Sequence, residues 1–302
     1  MAQGKVGSQL LFILPATIWG STFFVIKFQL GVVSPIWSVC YRFLLGGLIL
    51  LVYARLRGLN LKFPAQSHGR IALQGILLFG LNYWLVYIAE LELVSALVAI
   101  AFSTIIFFNI LFGKLFLGNT TTSRVYVGAI LGLVGTVLLF YQELGAVKYQ
   151  QWPVLSTILC ALSVVIASLG NITSAANQKV GIPVIQANAF GMIYGSIGMA
   201  LIALVSLDLP AFDFSAGYMG SLLYLSILGS IVAFGSYLTL IGRIGPDRAA
   251  YVLVVIPVIA LMLSVWFEDY NWSIFVVMGI LLILVGNVLV LRKPKSPRIS
   301  KA

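Results

Sequence analysis

Arg42, in the triplet Tyr41-Arg42-Phe43, puts a permanent cation inside an apolar run that begins at Pro35. It stands seven residues into that run, roughly 10 Å deep at 1.5 Å rise per residue if the run is a helix entering a membrane. A charge there costs at least about 2.5 to 3.5 kcal/mol on insertion scales, so it should face the protein interior or a wet cavity. Two roles fit. Its planar fork suits a carboxylate on a bound solute, or it pairs with Glu90 or helix-end carbonyls and holds an outer gate. Tyr83, Tyr87 and Glu90 follow at helical spacing on one face. They read either as an aromatic wall leading to an acidic mouth or as an interfacial aromatic belt. Tyr83 lies deeper, next to the polar Asn82, and favours the cavity reading. In Trp19-Gly20-Ser21 the small residues let a neighbouring backbone approach, and Pro15 one turn earlier invites a bend. Trp19 would sit near mid-bilayer with an indole N–H that needs a partner. It is read as facing a cavity, with tight packing as the alternative, and Ser21 joins the candidates beside it.

Two further stripes carry small polar groups. Ser156, Cys160, Ser163, Ala167 and Asn171 share one face, as do Ser226, Ser230, Ala233 and Tyr237. Such stripes most often permit close helix packing, and otherwise line a cavity; Ser163 and Tyr237 are the candidates taken from them. Other chemistry is missing. There is no HExxH, GxSxG or Walker motif and no cluster of His, Cys, Asp and Glu, so enzyme catalysis, metal binding and ATP hydrolysis are not expected and no cofactor is implied. Cys40 and Cys160 both fall in apolar runs and suggest no disulfide framework.

The elements that must position these groups are membrane helices. Hydrophobic residues make up 61% of the 302 and charged residues 9%, against about 25% charged in soluble domains. Apolar runs long enough to span recur near Leu10–Ile26, Pro35–Ala54, Ile71–Ala89, Ser95–Phe112, Val125–Tyr141, Val154–Asn171, Pro183–Leu207, Gly217–Ile241, Ala249–Phe267 and Trp272–Leu291. The fold class expected is an all-α integral membrane protein of ten transmembrane helices. The first run lacks a small-x-small cleavage pattern and is kept as a helix rather than a signal peptide.

Charge placement agrees with ten. With both termini cytoplasmic, inner segments hold Lys5, Arg55, Arg57, Lys62, Arg70, Lys114, Arg124, Lys179, Arg243, Arg248 and the tail cations Arg292, Lys293, Lys295, Arg298 and Lys301. Outer segments keep Lys27 and Lys148 and take every acid except Asp247. That sorting follows the positive-inside rule. The net charge of +10 is thereby assigned to loops near anionic lipid headgroups rather than to nucleic acid.

The chain also repeats. "VGAILGLVGTVLLF" in the fifth run matches "MGILLILVGNVLVL" in the tenth, with Gly128 against Gly279, Gly135 against Gly286 and Val137 against Val288, each pair 151 positions apart. Five helices per half force inverted topology, and two such halves give a physical route to alternating access around a midplane site. His68 and the stretch from Gln142 to Trp152 are read as connectors. Gly128-x-x-x-Gly132 is read as a packing face, with a dimer less favoured than a monomer.

Several of these segments carry a resemblance. "WGSTFFVIK" (Trp19 to Lys27), Pro35 with "YRF", "GPDRAAYVLVVIPVIALMLSVWFED" (Gly245 to Asp269) and "GILLILVGNVLVL" are similar to the EamA family of the drug/metabolite transporter superfamily. The resemblance covers two repeats, 12–141 and 154–291, followed by a basic cytoplasmic tail, 292–302. It implies a ten-helix transporter, often an exporter of amino acids or related metabolites, whose central cavity is lined mainly by helices one to four and six to nine. Family repeats usually carry a proline in the fourth helix and a glutamate after it. The second half keeps Pro257 and Glu268; the first has no proline there and ends in Asn119. The fourth helix is therefore expected to be straighter and less charged than the ninth.

The reading is then a multi-pass protein of the plasma or inner membrane, exporting or exchanging small metabolites. A channel, a structural membrane subunit and an intramembrane enzyme are its rivals. All eight acids and the one histidine map to loops or helix ends. With Glu90 as the best titrating candidate, transport is expected to be uncoupled, exchange-type or loosely proton-linked.

Overall fold

The computed structural model describes residues 7–118, 123–139, 141, 152–244, 249, 251–267 and 273–291. Lys5, Asn119, Glu143, Lys148, Asp247, Arg248, Glu268, Asp269 and the basic tail lie outside the described residues, as does most of the stretch from Gln142 to Trp152. Every regular element among the described residues is helical: α1 (Ser8–Ile26), α2 (Pro35–Leu56), α3 (Ala65–Ala89), α4 (Ser95–Leu117), α5 (Ser123–Leu139), α6 (Trp152–Lys179), α7 (Val184–Val205), α8 (Ala216–Ile244), α9 (Tyr251–Phe267) and α10 (Ile274–Leu291). Seven of them, α1 to α4 and α6 to α8, are long and apolar enough to cross a membrane.

Helix ends follow backbone chemistry. Pro35 opens α2, where its missing N–H would have no helical partner. Gly58, Gly118 and Gly181 follow helix ends with positive φ. Two ends differ from the sequence reading. α3 begins at Ala65, so His68 is helical, and its Nδ1 meets Tyr194 Oη of α7 at 2.8 Å rather than serving a loop connector. α6 runs on past Asn171 to Lys179. Its polar end reads as loop in sequence but is buried by partners: Asn177 Nδ2 donates to Gln74 Oε1 at 2.9 Å and Gln178 Nε2 to the Leu238 carbonyl at 3.1 Å.

The absent proline does not leave the fourth helix continuous. α4 is interrupted at Ser103 and Thr104, between Ser95–Phe102 and Ile105–Leu117, while α9 is helical throughout despite Pro257. Ser103 Oγ donates to the Ile100 carbonyl at 2.7 Å and Thr104 Oγ1 to the Ala101 carbonyl at 2.6 Å. Hydroxyls that bond back to the preceding turn compete with the helix ladder, and the break in α4 falls at these two residues.

Glycine sets the closest helix approaches. A Cβ on Gly135 would lie 2.7 Å from the Gly279 carbonyl oxygen, and one on Gly286 2.6 Å from that of Gly128, so α5 and α10 pack backbone to backbone. Gly132 is filled by the ring of Phe107, which puts Gly128-x-x-x-Gly132 to use inside the chain. α2 packs on α7; α1 packs on α8 and α9, and α6 on α3 and α4.

Candidate functional site

Wide helical turns shape the centre of the molecule. α3 is π-helical over Ile76–Leu81, and α8 over Leu225–Val232. Their last residues, Leu81 and Val232, are 151 positions apart, the separation of the repeated glycines. A π turn breaks the regular i to i+4 ladder and frees backbone groups for other partners, often at functional sites. Here the Gly229 carbonyl accepts the Trp19 indole N–H at 3.1 Å, tying α1 to α8. Ser230 Oγ donates five residues back to the Leu225 carbonyl at 2.8 Å and accepts from Arg42 Nε at 3.1 Å.

Beside this crossing lies a small cavity of about 50 Å³. Trp19, Thr22 and Phe23 of α1, Leu78, Asn82, Tyr83 and Val86 of α3, and Phe102 and Ile105 of α4 line one side. Ala167 and Asn171 of α6, Phe234 and Tyr237 of α8, and Leu253 and Ile256 of α9 line the other. Four cross pairs, Tyr83 and Phe234, Val86 and Tyr237, Phe102 and Leu253, Ile105 and Ile256, are each 151 positions apart. α2 and α7, which the resemblance included, contribute no lining residue.

An aromatic box forms the wall. Trp19 meets Phe234 edge to face at 4.8 Å between centroids and Tyr237 at 5.1 Å, and Tyr83 meets Phe234 at 6.0 Å. Polar groups are few. Asn82 Nδ2 donates to the Leu78 carbonyl at 3.4 Å, while its Oδ1 is buried with no hydrogen-bond partner among the described residues. Tyr237 Oη is buried likewise; Asn109 lies near it without forming a hydrogen bond of acceptable geometry. Asn171 Nδ2 is tied to Asn109 Oδ1 at 3.4 Å, which also accepts from Ser168 Oγ at 2.8 Å.

Of the residues singled out in the sequence, Trp19, Asn82, Tyr83 and Tyr237 meet at this cavity. Arg42 does not line it. The side chain is wholly buried, and its guanidinium carbon lies 4.4 Å from the Tyr83 ring centroid and 5.0 Å from that of Phe43. Tyr87 stands with it, away from the cavity. Its Oη receives Arg42 Nη1 at 3.5 Å and donates to Gln29 Oε1 at 2.7 Å, so Arg42 joins α2, α3, α8 and the turn after α1 in one buried network. Glu90 caps α3, wholly buried, and its carbonyl and that of Leu93 accept the Lys27 ammonium at 2.6 and 2.7 Å. A cation at the negative end of a helix is stabilising.

Ser21 and Ser163 lie elsewhere. Ser21 Oγ is bonded to the Ile18 carbonyl at 2.8 Å and Tyr224 Oη at 2.6 Å, and Ser163 Oγ donates to the Cys160 carbonyl at 2.6 Å. Sequence reasoning passed over Phe102, Phe234, Leu253 and Ile256 as ordinary apolar residues. The separation already seen in the glycines would have found Phe234, since it carries Tyr83 onto it, but it leads from no candidate to the other three. It also passed over Gln29, for which spacing gives no signal. Among the described residues no three His, Cys, Asp or Glu side chains come together as a metal site would need.

The chain is 28% identical to YedA, an inner membrane transporter of Escherichia coli K12, over 92% of its own length and 90% of that protein. It is 26% identical to the transporter YvbV of Bacillus subtilis 168 over 97% of its length and 94% of the relative. It is 23% identical to a probable amino-acid metabolite efflux pump of Escherichia coli K12 over 96% and 97% of the two chains. A solved crystal structure shares the fold with a TM-score of 0.69 at 19% identity, covering 93% of this chain and 95% of the other. The family model of EamA-like transporters matches residues 7–141 and again 154–292. With its long apolar helices, this multi-pass membrane protein belongs to the EamA-like transporter family.

Proposed function

We propose that the chain is a secondary transporter that exports or exchanges small metabolites, amino acids among the first to be tried, by alternating access around the central cavity. Ten helices would cross the plasma or inner membrane as two inverted five-helix repeats, 12–141 and 154–291, with both termini and the tail 292–302 cytoplasmic. A monomer suffices, and no catalytic step or cofactor is needed.

One observation carries this reading. The cavity takes three helices from each family-matched segment, and four of its residue pairs keep one constant separation. A site built this way between like halves can pass between two similar packings with modest change in energy. Exchanging the halves also maps the contacts of α1 with α8 and α9 onto those of α6 with α3 and α4. In this scheme Arg42, Tyr87 and Gln29 form the outer clasp, and Trp19, Asn82, Tyr83 and Tyr237 meet the solute. Ser21 and Ser163 are reassigned to helix packing.

The test is efflux and counterflow from proteoliposomes loaded with a mixture of amino acids and small metabolites, read by mass spectrometry. A few solutes should leave selectively and show saturable counterflow, and folded Trp19→Ala and Arg42→Ala variants should not support it. Unselective leakage would point to a channel instead, and no movement of any solute would remove the support for a transporter of metabolites. Strict dependence on a proton gradient that survives Glu90→Gln would refute loose coupling.

A further inference from the structure

Gln178, near the end of α6, stands 151 positions after Lys27. Lys27 follows α1 and donates to the carbonyls of Glu90 and Leu93, just past α3, while Gln178 Nε2 donates to the Leu238 carbonyl of α8 at 3.1 Å. Exchanging the halves turns α1 into α6 and α3 into α8, so the two donors are matching ties. Beside Gln178 lies an amide cluster that takes no part in the cavity lining. Gln74 Oε1 of α3 accepts from Asn177 Nδ2 at 2.9 Å, and Gln74 Nε2 donates to Asn188 Oδ1 of α7 at 3.4 Å. Asn177 Nδ2 also reaches the Arg70 carbonyl at 3.4 Å. All three amides are buried, and Asn188 Nδ2 has no hydrogen-bond partner among the described residues.

The cavity lies between this cluster and the Arg42 network. On α3 its lining runs from Leu78 to Val86, with Gln74 one turn before and Tyr87 directly after; on α8, Phe234 and Tyr237 stand between Ser230 and Leu238. Helix for helix the two networks correspond. Arg42 of α2 joins α3, α8 and the turn after α1, and the cluster joins Asn188 of α7 to α3, α6 and, through Gln178, α8. The side chains themselves are not repeated, because 151 positions carry Gln74, Asn177 and Asn188 onto Leu225, Ile26 and Trp37. Each network also sits at a π turn: Ser230 lies within that of α8, and Gln74 two residues before that of α3. At about 50 Å³ the cavity has room for a few water molecules, so a metabolite is admitted only when helices part at one end.

We infer that Gln74, Asn177 and Asn188 form a second clasp of the transport path, the one that parts to open the cavity on the side opposite Arg42. Neutral amides suit that role. Their bonds to one another are exchanged for bonds to water when the helices separate, so each holds the closed state with only a small net free energy. A Cβ on Gly195 would lie 2.6 Å from the Gly75 carbonyl oxygen, and this close approach of α3 and α7 brings Gln74 and Asn188 within reach of each other. The inference rests on the cavity being the transport path.

A thiol in the lining tests it. In the full chain carrying Cys40→Ser and Cys160→Ala, Ala167→Cys adds one reactive group to the cavity wall. Its rate of modification by a membrane-impermeant methanethiosulfonate is measured in right-side-out and in inside-out membrane vesicles. Gln74→Met keeps the length of the side chain and removes both amide bonds; the rate should rise about fivefold or more from the cytoplasmic face and not from the outer one. Tyr87→Phe, which unties Arg42 from Gln29, should do the reverse. If Gln74→Met does not fold, Gln178→Met is used, with a rise of about threefold or more expected at the same face alone.

The inference is overturned if the folded variant leaves both rates unchanged, raises both alike as a merely structural role would, or opens the same face as Tyr87→Phe. The two readings fail separately, because labelling needs no solute. Opposite responses of the two variants with no solute moved in counterflow remove the transporter and leave the clasp. Selective counterflow with no one-sided response to Gln74→Met does the reverse. Opposite responses with the faces exchanged keep the clasp and invert the proposed topology.

Discussion

Replacing Trp19 by phenylalanine removes the hydrogen bond that ties α1 to α8 at the cavity wall. The wild-type indole N–H meets the Gly229 carbonyl at 3.1 Å, and the ring stacks edge to face on Phe234 and Tyr237. Phenylalanine keeps one aromatic ring, removes the donor and leaves part of the buried indole's volume unfilled. The carbonyl belongs to a π-helical turn and is left without that partner. An orphaned buried acceptor costs about 1 to 3 kcal/mol. Water entering the cavity from the side of Asn82 would moderate the loss, so about 1 to 2 kcal/mol is expected. That is a factor of roughly 5 to 30 in the folded-to-unfolded ratio.

Trp19→Leu removes the same bond and both edge contacts, each worth about 0.5 to 1.5 kcal/mol, and should cost about 1 to 3 kcal/mol more. Reversible unfolding in mixed micelles, titrated with an anionic detergent and followed by circular dichroism, measures both differences. A Trp19→Phe change below about 0.5 kcal/mol would mean the bond carries no net stability. Equal losses for the two variants would mean the aromatic box is packing without edge-to-face preference.

Three other outcomes follow from the same geometry. Gly286→Val should destabilise by about 1 to 3 kcal/mol in the same unfolding assay, because its Cβ would lie 2.6 Å from the Gly128 carbonyl; Gly235→Ala, with open space around it in α8, should stabilise by up to about 1 kcal/mol. Arg42→Lys keeps the charge but loses the planar contact over Tyr83 and one of its bonds, costing about 1 to 2 kcal/mol, and Arg42→Met should cost more by leaving Ser230 and Tyr87 without their donor. Ser103→Ala with Thr104→Ala restores an unbroken α4; stability should change by less than about 2 kcal/mol while counterflow slows, and an unchanged rate would show that the break has no part in transport.

The sequence was informative wherever a property is one-dimensional. A span is a run of apolar residues of fixed length, so the helices around Pro35, Ser95 and Val184 could be placed to within a few residues. A buried charge must find partners, so Arg42 stood out before its partners were known. Polar helix ends were read less well. The segment from Asn171 to Lys179 looks like loop because its amides are polar, and it is helix because Gln74 and Leu238 receive them. Proline content alone did not decide the continuity of α4, where the break falls at two hydroxyl residues.

The residue types, the spans and the 151-residue recurrence were thus set by the chain alone, because length, hydropathy and repetition need no neighbour to define them. Which polar groups face one another was decided only in three dimensions. Helical periodicity puts Tyr83 and Tyr87 on one face, yet Tyr83 lines the cavity and Tyr87 turns to Gln29 and Arg42. Trp19 and Gly229 are 210 positions apart and meet because a π turn frees the glycine carbonyl where α1 crosses α8. Such pairings depend on the rotation and crossing of packed helices, and no spacing within a single helix records them.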